Sequence, residues 1–460
     1  MTRVVLRFAA VATVLAFALV DAAVARAAPP TPPRVVPDYD GRGSEPTTPG
    51  EVALWVPRII FSPIYFVTEF VLRRPLGAAI SAAERAGLPQ KLYNFFFFGP
   101  DHKAGVTPTI FAEFGFIPSV GIYAFWDDAG FKGNDFMLQG AVGWSGDWLA
   151  ASAVERIRLD SKKTVTFHLS GVRRPDYAFF GIGPSSLFSS RSRYQEDLIE
   201  PGALIDYHLW RTSHIEAGTG VRTVSIGNGH FGSDPSLGLE SSRGAVPLPY
   251  GFDRGYTAQY NHLAGALDSR HEPPKGAAVY AKPVSGSGVR IELDADQGSD
   301  VRRSPYGGWL RYGATVVGYG DLDGYGRVVS LSAAASFADP LGSSPIPFTE
   351  LVTLGGESPM RGYIPGRLVG RSSLVATARY TWPIWVWLNG ALEAATGNVF
   401  GEHLDDFKPS LLRFSSAIGI ESIRTPDSAI EVLVGVGTET FEHGGQADSV
   451  RVLVGTNHGF

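Results

Sequence analysis

The stretch "VRVLVGTNHGF", Val450 to Phe460, places Val450, Val452, Val454 and Phe460 on one face of an extended segment and Arg451, Gly455, Asn457 and Gly459 on the other. Successive side chains of a strand point to opposite sides, so a strand with lipid on one side and water on the other needs this period of two. Ile430, Val432, Val434 and Val436 repeat it, with Glu431 and Gly435 opposite. Further upstream Val289, Ile291, Leu293 and Ala295 alternate with Arg290, Glu292, Asp294 and Asp296, and Val165, Phe167 and Leu169 alternate with Thr164, Thr166, His168 and Ser170. A charge facing lipid at the bilayer midplane costs up to roughly 2–4 kcal/mol. The four charges of the Arg290 to Asp296 segment are therefore expected to line an aqueous lumen.

Such segments recur near Thr107, Ser119, Asp135, Trp148, Thr164, Ala203, Ile215, His262, Val289, Trp309, Arg327, Ser373, Val386, Leu412, Ala429 and Val450. They predict an all-β transmembrane barrel of about 16 antiparallel strands over residues 105–460, an even number as in single-chain bacterial barrels. Composition agrees: 18% of the residues are charged, below the roughly 25% of soluble globular chains, and 55 glycines accompany 12% aromatics. Connections are uneven in length. Short ones such as "GDLDGYG" suit periplasmic turns, and long ones over 175–200, 228–256 and 339–371 suit the cell exterior.

Ahead of the barrel, Arg3 and Arg7 precede an apolar run from Phe8 to Val20 and the small-residue site Ala25-Arg26-Ala27, so residues 1–27 read as a signal peptide. Residues 28–50 form a Pro/Gly-rich linker. Residues 51–98 read as a short helical arm, broken by Pro57, Pro63 and Pro75, that lies in the periplasm or at the membrane interface.

Several function classes are excluded. A net charge of -5 with scattered Lys and Arg argues against nucleic acid. The chain has no cysteine, which removes disulfides, thiolate metal sites and catalytic thiols. "GNGHFG", Gly227 to Gly232, lacks the following helix that a dinucleotide site needs. His168 with Glu292, Asp294 and Asp296 offers no nucleophile elbow, so no enzyme is expected. The ten histidines show no HxxH or HxH spacing, so no metal and no cofactor are expected either.

"LVTLGGESPMRGY", Leu351 to Tyr363, sets an arginine among glycines inside the longest loop. On a solvated loop such an arginine is worth little. Folded into the lumen, its fork of donors would pair with a wall carboxylate, and the glycines would let the backbone pass close to the sheet.

"LGGESPMRGY", "RSSLVATARYTWPIW", "LNGALEAATGNVF" and the last strand ending in Phe460 together resemble the BamA/TamA/FhaC superfamily of bacterial outer-membrane assembly and translocation barrels, also called the bacterial surface antigen family. The resemblance implies residence in the bacterial outer membrane and a sixth extracellular loop tucked inside the barrel, with its Arg-Gly-Tyr tip anchored to an acid on the thirteenth strand. Carried over by position, the motif is Gly355, Gly356, Arg361, Gly362 and Tyr363, with Met360 where relatives carry Val or Leu. The usual aspartate position holds Ala395, which makes Glu393 the candidate anchor and Glu421 and Glu431 the alternatives. Val452, Val454 and Phe460 match the C-terminal assembly signal. No stretch before Val106 resembles a POTRA domain, so the chain reads as a POTRA-less short form. The expected function is a conduit or insertase for protein or lipid, surrounded by outer-membrane lipid and served by a periplasmic partner; the alternative is a passive pore or structural barrel.

Overall fold

The computed structural model describes residues 94–270, 286–302, 307–322, 326–357, 359–385, 388–422 and 430–456, with Ala86, Gly87 and Lys91 before them. The signal peptide, the linker, nearly all of the helical arm and Phe460 lie outside the described residues.

Sixteen antiparallel strands close into a barrel, β1 (Ala104–Glu113), β2 (Ser119–Trp126), β3 (Asn134–Gly143), β4 (Leu149–Arg158), β5 (Lys163–Phe179), β6 (Ser192–Trp210), β7 (Ser213–Asn228) and β8 (Tyr256–Asp268), then β9 (Gly288–Asp300), β10 (Gly307–Asp321), β11 (Val328–Pro340), β12 (Ser372–Trp385), β13 (Leu388–Phe400), β14 (Arg413–Ser422), β15 (Ile430–Thr438) and β16 (Ala447–Thr456). Each strand pairs with its sequence neighbours, and β16 pairs with β1 to complete the ring. The alternation seen in the sequence is the alternation of the wall. Ile122, Leu138, Leu169, Leu263, Leu293 and Leu331 are exposed on the outer face. Inside, Arg311 meets Asp296 at 2.7 Å and His262 meets Asp296 at 2.6 Å. Among the described residues no helix is long and apolar enough to cross a membrane; the strands make the wall.

Two expectations change. The arm's last residues, Phe97–Phe98, are not helical but form a two-residue strand against Gly105 and Ala104. The β2 edge of those residues is already taken by Phe125 and Trp126, so the added strand lies on the β1 edge that faces β16. The loop expected over 175–200 is only 180–191, because β5 and β6 continue past a bulge between Arg174 and Tyr177 and the Tyr177 and Tyr194 rings stack at 5.4 Å.

The wall is uneven in height. β6 has 19 residues and β5 has 17, against 10 in β1, 8 in β2, 9 in β15 and 10 in β16. A transmembrane strand needs about 9–11 residues, so the wall beside the β16–β1 seam barely spans while the β5–β7 side projects. Over that tall side the loops form an apolar cap in which Phe179, Phe252, Tyr256, Trp309 and Phe348 pack together.

Candidate functional site: a loop seated on β14–β16

The connection between β11 and β12 crosses the barrel interior. Its near limb is tied to β7: Arg222 donates to Glu350 at 2.9 Å, and the Tyr256 hydroxyl donates to the same carboxylate at 2.6 Å. A short hairpin, Val352–Leu354 against Leu368–Gly370, then carries the tip across. Leu354, Met360, Tyr363 and Leu368 bury themselves against Val375, Ala395 and Val399 of β12 and β13. Tyr363 and Met360 are fully buried and Arg361 is 6% exposed.

Glycines allow the tip to lie directly on the sheet. A Cβ on Gly362 would stand 2.2 Å from the Val436 carbonyl oxygen, and one on Gly437 would stand 2.3 Å from the Tyr363 ring. The Gly362 amide donates to Ser415 Oγ at 2.8 Å. The Tyr363 hydroxyl lies 2.9 Å from the Phe414 carbonyl and 2.6 Å from that of Thr438, and it accepts from the Thr438 amide at 2.7 Å. Gly355 and Gly356 take φ of 99° and 84°, which turns the loop so that the Gly356 amide reaches the Tyr363 carbonyl at 2.8 Å. Met360 adopts φ 67°, open to an unbranched side chain at some backbone strain.

With Gly362 and Tyr363 fixed on β14 and β15, the Arg361 guanidinium is directed along β15 and pairs with Glu431. This corrects the expectation of Glu393 on the thirteenth strand. Glu393 lines the same small space, together with Glu421, but its Oε2 stands 3.9 Å from Arg379 and its Oε1 has no hydrogen-bond partner among the described residues. Arg379 also donates to Glu421. Burial, and next the Arg379 charge, push the Arg361 guanidinium down to about 10, the sign expected for a cation taken out of water. Burial raises the Tyr363 phenol to about 12.

A second arginine belongs to no motif in the sequence. Arg451 of β16 is 2% exposed; its Nε donates to Glu113 of β1 at 2.6 Å, and its Nη1 donates to the carbonyls of Gly356 and, at 3.3 Å, Arg361. One side chain thus joins the first strand, the last strand and the loop. Behind it Arg367 of the loop meets Asp448 at 3.0 Å, and Arg413 meets Glu439 at 2.7 Å and the Ser186 carbonyl at 2.6 Å. Parity places Arg451 on the lumen face, but nothing in the sequence indicates its partner 338 residues away.

The seam itself is staggered. β1 ends at Glu113, opposite Leu453, so residues 447–452 of β16 run past its end and the Phe114 amide donates to Val452 O at 2.8 Å. Val452 and Val454 lie on the outer face, Val454 opposite Ala112.

No family model matches the chain, and no curated protein matches it. Among solved structures, BamA from Haemophilus ducreyi lacking POTRA domains 1–3 is similar at 12% identity and a TM-score of 0.52, over 77% of this chain and 70% of that one. CdiB from Acinetobacter baumannii gives 10% identity and 0.47 over 77% and 59%, and CdiB from Escherichia coli 14% and 0.45 over 76% and 62%. The chain shares the barrel fold of the BamA structure.

Proposed function

We propose that this barrel resides in the bacterial outer membrane and acts there without making or breaking a bond, as a conduit or insertase whose lumenal loop governs the β16–β1 seam. The observation that carries this reading is Arg451, whose single guanidinium binds Glu113 across the seam and the loop carbonyls of Gly356 and Arg361. Displacing the loop removes acceptors from a buried cation that also closes the ring, so loop position and seam closure are coupled. The low wall beside the seam supports the same reading, since short strands thin the surrounding bilayer and lower the barrier for a protein or lipid client. Arg361, paired with Glu431, anchors the tip.

A disulfide across the seam tests this. Ala112 and Val454 are direct cross-strand partners, and such pairs stand about 4.5–5.5 Å apart, within disulfide range. The native chain has no cysteine to interfere. In the host bacterium, oxidised Ala112→Cys/Val454→Cys should abolish the protein's contribution to outer-membrane biogenesis and a reductant should restore it. Full activity of the locked barrel would refute a lateral route and favour a passive pore, for which the charged face of Arg290, Glu292, Asp294 and Asp296 is suited.

A further inference from the structure

Far from the loop and the seam, the β6–β7 hairpin assembles a second group of side chains. Asp206 and Glu216 are direct cross-strand partners, and His214 follows the two-residue turn Arg211–Thr212. Ile205, Tyr207 and Ile215 between them are exposed on the outer face, so Asp206, His214 and Glu216 share the lumen face. One ligand atom from each lies within 4.8 Å of the others. We propose that Asp206, His214 and Glu216 bind a first-row divalent cation of the zinc class, with a fourth position left for water.

Three features point to a cation. Like charges directly opposite on a sheet destabilise it, and His262 offsets the charge of Glu216 alone, so the Asp206 side of the pairing still calls for a positive charge. Asp206 is 1% exposed and its Oδ1 has no hydrogen-bond partner among the described residues; a buried carboxylate oxygen left this way is costly unless a cation meets it. The ring of His214 is already oriented, for its Nδ1 stands 3.2 Å from the Thr212 carbonyl, which takes that proton and leaves the Nε2 lone pair free. A backbone carbonyl holding the far nitrogen is the usual support of a metal-binding histidine.

Glu216 has outer support too. His262 Nε2 lies 3.2 Å from Glu216, its Nδ1 lies 2.6 Å from Asp296, and Asp296 meets Arg311 at 2.7 Å. This chain fixes one oxygen of Glu216 and leaves the other for a metal. One imidazole and two carboxylates form a donor set that suits zinc, and cobalt or nickel in its place, and gives calcium too few oxygens. Because all three ligands belong to one hairpin, the cation would staple β6 to β7 where the chain turns. The sequence offers only His-Ile-Glu at 214–216, which no histidine-spacing rule detects.

The test uses the full chain, purified in detergent and stripped with a chelator. Titration with Zn²⁺ should show one high-affinity equivalent per chain, and Co²⁺ should give the visible absorption of a four-coordinate site. Asp206→Asn, which preserves volume, should weaken binding at least tenfold, and His262→Gln should weaken it about 10–100-fold, as loss of an outer-shell partner does. Heat-modifiable gel migration shows that each variant barrel is folded. Absence of stoichiometric binding, or binding unchanged in Asp206→Asn, overturns the proposal. Should the variants not fold, the native protein decides: Zn²⁺ should protect His214 from diethyl pyrocarbonate while His230, exposed and outside any such group of ligands among the described residues, stays reactive, and an unprotected His214 overturns it.

Discussion

Replacing Arg451 by Met keeps most of the buried stem and removes the charge. Glu113, 4% exposed, then remains as a carboxylate without its partner. Breaking a buried pair from one side costs about 3–5 kcal/mol, mainly because the remaining charge is uncompensated. Urea unfolding of the detergent-solubilised barrel should show a loss of that size. The two loop carbonyls that Arg451 holds, those of Gly356 and Arg361, lose a charged donor at the same time. The tip should therefore dwell away from the wall, and single-channel conductance in planar bilayers should rise. Adding Glu113→Gln removes the stranded charge, so the double variant should recover about 2 kcal/mol, within the coupling range of contacting residues. Conductance should stay high in the double variant, because the loop contact is not restored. Stability lost with conductance unchanged would refute the coupling and leave Arg451 as a seam staple alone.

Two further outcomes follow from the loop's seat. Arg361→Ala strands Glu431, which is 7% exposed; conductance should rise with little loss of membrane insertion, measured by heat-modifiable migration of the outer-membrane fraction, and unchanged conductance would contradict an anchored loop. Gly437→Ala drives a methyl to 2.3 Å from the Tyr363 ring, and overpacking of this kind costs about 1–3 kcal/mol. Urea midpoints should show that cost in the native background and not in Tyr363→Ala, where the ring is gone.

The barrel is legible in periodicity alone: all sixteen strands lie at or beside the positions that alternation marks, from Thr107 in β1 to Val450 in β16. Alternation reports which side of the wall a residue faces and nothing about what crosses the lumen to meet it. Arg451 illustrates the limit, since its side is readable but Glu113 and the Gly356 carbonyl are not. Strand ends are missed where tertiary pairing overrides composition, as with Tyr177 and Tyr194, which extend β5 and β6 through a stretch rich in turn residues. The Phe97–Phe98 strand is missed for a different reason: four consecutive phenylalanines, Phe95 to Phe98, carry no period at all.

The choice between Glu393 and Glu431 shows how the loop's seat is decided by its backbone. A register that expects an acid on the thirteenth strand takes the arginine's reach as the variable. In the structure Gly362 and Tyr363 are pinned by Ser415, Phe414 and Thr438, and the guanidinium then donates to the carboxylate that lies along β15. Glu431→Gln should then cost about 3–5 kcal/mol, because Arg361 loses its partner while still buried. Glu393→Gln should cost less, since it removes only the through-space attraction of the Glu393 carboxylate for Arg361, while its Oε1 has no donor to lose among the described residues and its link to Arg379 is long at 3.9 Å. Urea midpoints of the two variants decide the matter. A larger loss in Glu393→Gln would place the working anchor on β13 and require the tip to sit one strand pair away from Gly435 and Gly437. The glycines argue against that seat, because a Cβ on Gly435 would stand 2.7 Å from the Gly362 Cα, so the bare backbone at 435 is what lets the tip rest against β15 within reach of Glu431.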